Sequence, residues 1–262
     1  LAAKREDVIV KKNELNQYLQ SDIITIDSPL RSKWLVDFVS KNLKEKIIIN
    51  PNAVDSDFFT PDKLEKNLKL KIGIEENKII VGMSSSFRWY NDENELFKII
   101  HKTISNNNKI IFILFIGDKK RAKKIERLFM LKDLNGSVKI LSQVPLNEMP
   151  KYLNICDILI SHFNFHGVWP HICSIKHMEY LAVAKPVVAT KVGFVNFAVE
   201  NEKNGLLVEE GDIDGFSAAI LRLASNKQIR KKFGFNGRQK AVGELTWENN
   251  LRKFLNPLKL YE

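Results

Sequence analysis

One predicted helix carries residues whose types and spacing suit a phosphorylated ligand. Ser174 stands just ahead of an amphipathic segment as a good N-cap, and Lys176 adds a positive charge to the first turn. Backbone N–H groups and the helix dipole favour a phosphate at such a helix start. Glu179 follows in the same helix, where its carboxylate could accept hydrogen bonds from two neighbouring hydroxyl groups. An ordinary capped helix, with a solvent lysine and a glutamate paired to Lys176 or His177, would have the same local sequence.

A second candidate is Arg88, which stands in the loop after the predicted strand 78–81. A positive charge there could neutralise a diphosphate and stabilise it as a leaving group. A surface arginine stacked on Trp89 fits the local sequence equally well, so both interpretations stay open.

The net charge favours anionic partners without identifying one. The 262 residues include 41 Lys and Arg against 31 Asp and Glu, a formal charge of +10 that attracts phosphates. The basic residues are scattered, and in the cluster 119–124 they precede the acidic Glu126 on the same predicted helix. Aromatic residues do not alternate with them as a single-strand binder needs. Nucleic acid is therefore not expected as a partner, and a basic nucleic-acid binder is only a weaker alternative.

Several other classes of protein are excluded by what the sequence lacks. Two cysteines are too few for a disulfide framework or a cysteine-rich zinc site. The longest apolar runs, such as Ile110–Ile116, are far shorter than the roughly 20 residues that cross a bilayer. His162, His166 and His171 have no zinc-site spacing, and no Gly-x-Ser-x-Gly motif occurs. We therefore expect neither a bound metal nor a serine nucleophile.

From residue 46 onward, short apolar runs alternate with amphipathic segments. The apolar runs are continuous, which is typical of parallel strands that are buried on both faces. The predicted strands are 46–49, 78–81, 109–116, 138–141, 157–160, 186–190 and 205–208. The predicted helices are 93–105, 119–132, 147–156, 174–184, 212–225, with Asp212 as N-cap, and 246–261, with Trp247, Leu251 and Phe254 on one face. This order predicts an α/β fold with a doubly wound parallel sheet, that is, a Rossmann-like domain.

The first fifty residues differ from the rest. They predict a helix at 15–19, a short strand at 22–26 and a helix at 29–39, too little to bury a core of their own. The chain begins with Leu1 rather than Met, and no signal-peptide pattern follows. We therefore expect a fragment whose beginning packs on something else.

A set of motifs follows in order along about four-fifths of the chain. They are 47–55 with Phe58 and Pro61, 138–145 with Met149 and Pro150, 174–190, 204–212, and Trp247 with Glu248. Together they resemble the C-terminal, donor-binding half of GT-B glycosyltransferases of the family 4, or group 1, type. The resemblance implies three parts: a remnant of the N-terminal acceptor domain with its linker (1–45), a nucleotide-sugar-binding Rossmann-like domain (46–242) and a C-terminal crossover helix (243–262).

The resemblance also implies roles for single residues. Glu179 matches the second acid of the family's Glu–seven residues–Glu motif and would hold the ribose hydroxyls. His171 stands where the first acid belongs and supplies no fixed negative charge. The implied catalytic residues are Arg88 and His171. The implied donor-binding residues are Ser174, Ile175 and Lys176 for the diphosphate, Glu179 for the ribose, Ser86 in the phosphate loop, and Ser142 and Val144 for the base.

These features predict a glycosyltransferase that moves a sugar from a UDP- or GDP-sugar to a carbohydrate or lipid-linked acceptor. By resemblance it would retain the anomeric configuration and use no metal or cofactor. We expect it in the cytoplasm, in polysaccharide biosynthesis, with basic charge favouring peripheral contact with the inner membrane surface. Ser86, Asn91 and His171 depart from the family pattern, so a catalytically degenerate nucleotide-binding module remains the alternative.

Overall fold

The computed structural model describes residues 12–61, 67–86, 93–130, 134, 136–164 and 174–255. The first part of the chain forms a small unit around two parallel strands. The core of this unit consists of Ile24, Ile26, Leu35 and Leu43. Its elements are α1 (Lys12–Gln20), β1 (Ile24–Ile26), α2 (Pro29–Phe38), a 3₁₀ helix (Lys41–Lys46) and β2 (Ile47–Ile49).

The rest of the described chain alternates between strands and helices. Its strands are β3 (Ile79–Ser85), β4 (Ile110–Ile116), β5 (Val138–Ser142), β6 (Ile158–Ser161), β7 (Val187–Thr190) and β8 (Gly205–Val208). Its helices are α3 (Leu68–Lys71), α4 (Glu93–Asn106), α5 (Lys119–Met130), α6 (Met149–Asn154), α7 (Ile175–Ala182), α8 (Val195–Ala198), α9 (Ile213–Ser225), α10 (Lys227–Glu244) and α11 (Trp247–Leu255). A 3₁₀ helix, Leu146–Glu148, precedes α6.

The six strands form one parallel sheet in the order β5-β4-β3-β6-β7-β8. The chain starts in the middle of this sheet, builds outward to β5, and then returns to place β6 on the other side of β3. This is the order of a doubly wound nucleotide-binding fold, and the predicted α/β fold is confirmed.

Two buried apolar clusters cover the two faces of the sheet. On one face, α4, α5 and α9 pack against residues such as Val81, Phe112 and Ile160. On the other face, α7 and the end of α10 pack against residues such as Ile80, Phe115 and Leu159. Since neighbouring strand residues point to opposite faces, both faces must be apolar, which explains the continuous runs in the sequence.

The position of α7 on its face is fixed partly by α10. A side chain at Gly237 would place its Cβ 2.7 Å from Leu181 Cδ2, so a larger residue there would require the Leu181 side chain to move. Arg238 Nη1 donates to the carbonyl of Ala182, at the end of α7, at 2.9 Å and to that of Phe59 at 3.0 Å. The last turn of α7 is therefore fastened to α10 and to the segment that enters the domain.

Three differences between the structure and the sequence-based expectations concern β2, β3 and α10. The strand Ile47–Ile49 forms as predicted, but it pairs with Ile24–Ile26 instead of joining the six-stranded sheet. Strand β3 continues beyond the predicted 78–81 to Ser85, since residues 82–85 pair with residues 113–116 of β4. The 18-residue helix α10 was not predicted from the periodicity.

The ends of the predicted helices are mostly close to those observed. Asp212 caps α9 as expected, since its carboxylate accepts from Gly215 N at 2.8 Å. The last helix begins at Trp247, and its described part ends at Leu255; Trp247 and Leu251 are about half exposed. Among the described residues, no helix is both long enough and apolar enough to cross a membrane.

Candidate functional site

The order of the strands indicates where a ligand would bind. The chain reverses its direction of winding between β3 and β6, so α4 and α7 lie on opposite faces of the sheet there. In open α/β sheets, ligands occupy the crevice outside the carboxyl ends of the strands at such a point. The residues at the ends of β3 and β6 and at the start of α7 are therefore the candidate site.

Two buried side chains attach α7 to this point. The hydroxyl of Tyr180 accepts a hydrogen bond from Ser84 N, near the end of β3, at 2.8 Å. His177 Nε2 lies 2.9 Å from Ser161 Oγ, at the end of β6. Burial and the nearby Lys176 charge lower the pKa of His177 to about 3, so its imidazole is neutral at physiological pH. The helix is thus attached to both strands that border the crevice.

The first turn of α7 has no side-chain cap. Ser174 occupies the N-cap position in an extended conformation, but its side chain makes no capping hydrogen bond. In contrast, Ser28, Asp212 and Asn226 each accept a backbone N–H of the helix that they precede. The expected N-cap position of Ser174 is thus observed without its side-chain bond, which leaves first-turn N–H groups available to an anion.

Lys176 and Glu179 are half-buried on the same helix. Burial lowers the pKa of the Lys176 amine to about 8, although the Glu179 charge opposes this. Burial raises the pKa of the Glu179 carboxyl to about 7, although the Lys176 charge opposes this. Within the described part of the chain, neither group makes a hydrogen bond or an ion pair within 4.0 Å. Both groups have lost water without gaining a partner, which is typical of groups arranged for a ligand.

The structure brings some of the predicted donor-binding residues together. Ser174, Ile175, Lys176 and Glu179 share one helix segment, and Ser86 directly follows β3, to which Tyr180 attaches that helix. Ser142 ends β5 and is exposed, and Val144 is half-buried beyond it. Because β4 separates β5 from β3, Ser142 lies roughly 10 Å from the end of β3. The predicted catalytic residues Arg88 and His171 lie outside the described residues, as does Asn91.

The backbone after β5 has an unusual conformation. Gln143 adopts a φ of 57°, in the left-handed region, and its N–H donates to Ile116 O at 3.2 Å. A residue other than glycine is held there at a cost of roughly 1–2 kcal/mol. The positive φ thus falls on the residue next to Ser142, which was predicted to meet the base.

A buried polar cluster near the crevice was not predicted from the sequence. Glu95, in the first turn of α4, accepts from Asn164 Nδ2 at 2.7 Å, and its other carboxylate oxygen lies 3.3 Å from His162 Nε2. His162 and Asn164 follow the end of β6 and are 3% and 5% exposed. Two polar residues that continue a buried strand were the available signal, because buried polar groups require partners.

A cavity of about 310 Å³ lies elsewhere, in the small N-terminal unit. It is bordered by Tyr18, Asp27 and Arg31 and by residues of β1. None of the predicted donor-binding residues lines it. The candidate site is therefore identified by topology and charge rather than by this cavity.

Comparisons with known proteins identify a family and related sequences. A family model described as glycosyl transferases group 1 matches residues 65–240. An uncharacterized glycosyltransferase of Methanocaldococcus jannaschii is 27% identical over 217 residues, which are 83% of this chain and 54% of that protein. The UDP-Gal:alpha-D-GlcNAc-diphosphoundecaprenol alpha-1,3-galactosyltransferase of Escherichia coli is 27% identical over 189 residues, 70% of this chain and 46% of that protein. The chain thus spans about half the length of these curated relatives.

Solved structures show the same fold at lower sequence identity. A glycosyltransferase from Rickettsia africae has a TM-score of 0.80 at 17% identity, over 95% of this chain and 67% of that one. The Anabaena protein HepE, solved with UDP and glucose, has a TM-score of 0.77 at 17% identity, again over 95% of this chain and 67% of that one.

Proposed function

The chain belongs to the glycosyl transferases group 1 family, and from this membership we propose that it binds the nucleotide-sugar donor of a sugar-transfer reaction. The proposed reaction moves a sugar from a UDP- or GDP-sugar to a carbohydrate or lipid-linked acceptor. The observation that carries this proposal is a pair of half-buried ionisable groups, Lys176 and Glu179, which have no partner among the described residues. They lie on a helix that is fastened to the topological switch point.

The first part of the proposal concerns the diphosphate. Ser174, Ile175 and Lys176 hold it at the uncapped start of α7, where N–H groups and the helix dipole favour negative charge. Lys176 gains from this contact because a nearby phosphate restores the stability of its charged form, which burial has reduced. Ser86 borders the same space from the end of β3, and Arg88, two residues farther along the chain, adds a second positive charge.

The second part concerns the nucleoside. Glu179 accepts hydrogen bonds from the two ribose hydroxyls, as a charged carboxylate does strongly. The base lies toward the end of β5, where Ser142 and Val144 offer mainly backbone groups. UDP is the first donor nucleotide to test, because the Escherichia coli relative is named for UDP-Gal and HepE was solved with UDP.

The proposed chemistry is positioning and charge stabilisation. The bond between the anomeric carbon and the diphosphate oxygen breaks, and the acceptor oxygen bonds to that carbon on the same face, so the configuration is retained. The acceptor proton passes to the departing diphosphate, whose charge Lys176 and Arg88 stabilise. His171 contributes to the sugar pocket, and no metal takes part in these steps.

The acceptor part of the proposal rests on the relatives and on charge. The Escherichia coli relative is named for an acceptor sugar linked to diphosphoundecaprenol. The surplus of basic residues, +10 at pH 7, favours peripheral contact with an anionic membrane where such acceptors lie. The protein groups that bind the acceptor are proposed to belong to an N-terminal domain that precedes residues 46–242.

Thermal unfolding with added nucleotides tests the proposal. A ligand that binds only the native state stabilises it by about 2.7 kcal/mol at one hundred times its Kd. We expect UDP or GDP at about 1 mM to raise the Tm, and CDP and ADP to raise it less. No shift with either UDP or GDP would contradict the donor site. A shift without sugar transfer by the complete protein would favour the catalytically degenerate module.

A further inference from the structure

The segment after β6 is held from both sides of the sheet. Ser161, His162, Phe163 and Asn164 are all at most 6% exposed. They continue the alternation of the strand: Ser161 and Phe163 contact His177 of α7, whereas His162 and Asn164 contact Glu95 of α4. Residues 161–164 therefore lie between α4 and α7, the two helices that flank the switch point. We call this segment the wall.

On the α4 side of this wall, a single carboxylate makes both contacts. Glu95 accepts from Asn164 at 2.7 Å with one oxygen and lies 3.3 Å from His162 with the other. His162 also packs edge-on against Phe216 of α9, with ring centroids 5.6 Å apart. A half-buried carboxylate that contacts both residues restricts their movement, because a displacement would break the hydrogen bond to Asn164 and the contact with His162.

On the α7 side, contacts of the same segment fix the position of the first turns of the helix. His177 bonds to Ser161 at 2.9 Å, and Phe163 N donates to Thr190 Oγ1 of β7 at 3.1 Å. His177 directly follows Lys176 and stands two residues before Glu179. A shift of the wall would therefore displace both charged groups of the candidate site.

We propose that Glu95 is a positioning residue for the nucleotide: through Asn164 and His162 it fixes the wall 161–164, which in turn fixes the start of α7. Glu95 itself contacts no part of the donor. This proposal rests on the proposed function, since it concerns the same nucleotide site.

Three variants separate this role from a general effect on folding. Glu95→Leu keeps the approximate shape but removes both acceptor oxygens. Glu95→Gln keeps an oxygen that can accept from the amide of Asn164. Glu93→Leu is the matched control, because Glu93 lies in the same turn and its carboxylate pairs with Lys124 at 3.1 Å on the surface.

Calorimetric titration with UDP and GDP, well below the Tm of each variant, measures the effect. We expect Glu95→Leu to weaken nucleotide binding about tenfold. Loss of a residue that only orients the binding groups has an effect of this size at metal sites. Glu95→Gln is expected to stay close to the parent, and Glu93→Leu to equal it. Circular dichroism checks that each variant is folded.

Equal affinities for Glu95→Leu and Glu93→Leu would overturn the proposal. If Glu95→Leu does not fold, Asn164→Ala replaces it, with the same expected loss and the same contradicting outcome. A parent that binds neither nucleotide would refute the proposed function and this inference with it. Binding by the parent that is insensitive to Glu95 and Asn164 would refute this inference alone.

Discussion

Burial destabilises the charged forms of Glu179 and Lys176, and a bound ligand would restore their stability. Each group is easier to discharge than in water, with a pKa of about 7 for the carboxyl and about 8 for the amine. They lie three residues apart on one helix, so each partly stabilises the charge of the other. Their opposite charges suit the two parts of a nucleotide, hydroxyl donors on the ribose and negative oxygens on the diphosphate.

Glu179→Gln is expected to weaken the binding of uridine or guanosine and of their diphosphates. A hydrogen bond to a charged group is worth about 1.5–3 kcal/mol, so the loss at about pH 8 should be at least tenfold. Near pH 5, where a carboxyl with a pKa of about 7 is protonated, the difference should shrink. Calorimetry at both pH values measures this, with the exposed Glu126→Gln as control. Parent-like affinity at pH 8 would show that Glu179 does not contact the ribose.

Lys176→Ala is expected to separate the diphosphate from the nucleoside. Because the proposed partner of its amine is phosphate, UDP and GDP should bind at least tenfold more weakly, since a hydrogen bond to a charged group is worth about 1.5–3 kcal/mol. Uridine and guanosine should bind almost as before. Lys231→Ala removes an exposed charge from α10 and serves as control. An equal loss for nucleosides and diphosphates would argue against a phosphate contact.

Glu179 should also make the stability of the unliganded fold depend on pH. The folded carboxyl keeps its proton up to about pH 7, whereas the unfolded one releases it near 4.5, so stability falls as pH rises between these values. Glu179→Gln removes this loss and should be more stable than the parent by roughly 1–2 kcal/mol at pH 8, after allowing for the lost neighbour of Lys176. At pH 4, urea unfolding should show little difference in stability between Glu179→Gln and the parent. A variant that is less stable at pH 8 would contradict the account.

The helices and strands were predictable to the extent that their apolar pattern is clear. Strands such as β4, with seven buried residues in succession, were easily recognised from the sequence. Helix α10 was not, because its contact face is made largely by Gly234, Gly237 and Ala241 rather than by large apolar residues. Glycine also has low helix propensity, so both local signals were weak.

The same contrast appears within the candidate site. That Ser174, Lys176 and Glu179 share one helix segment could be predicted from one short motif. Their donor-binding roles stay predictions. The contact of Glu95 with Asn164 joins residues 69 positions apart, and no local pattern contains it. Only the strand order, which makes β3 and β6 neighbours, brings these residues together.

The packing of α10 on α7 can be tested with two glycines of the same helix. A Cβ at Gly234 would collide with the carbonyl of Ala184, whereas nothing lies within 4 Å of one at Gly243. Gly234→Ala should therefore cost about 1–3 kcal/mol through overpacking. Gly243→Ala should gain roughly 0.5–1 kcal/mol through helix propensity. Urea unfolding of both variants measures this. Equal changes in the free energy of unfolding would show that α10 is not closely packed against α7.

At the scale of the whole molecule, the chain pairs a complete doubly wound sheet with a small two-stranded unit. The small unit holds a cavity beside Asp27 and Arg31, while the large sheet holds the charged helix start. The family model, at residues 65–240, covers the large sheet and not the small unit. These findings favour the large sheet as the nucleotide-binding part of the proposed site.

A crystal structure of the protein with UDP or GDP tests this assignment most directly. We expect the nucleotide at the carboxyl ends of β3 and β6, with its diphosphate at the first turn of α7 beside Lys176. Both ribose hydroxyls should lie about 2.5–3.0 Å from the carboxylate oxygens of Glu179. A nucleotide bound instead in the cavity beside Asp27 and Arg31, or one that leaves Glu179 without a ribose contact, would contradict the account.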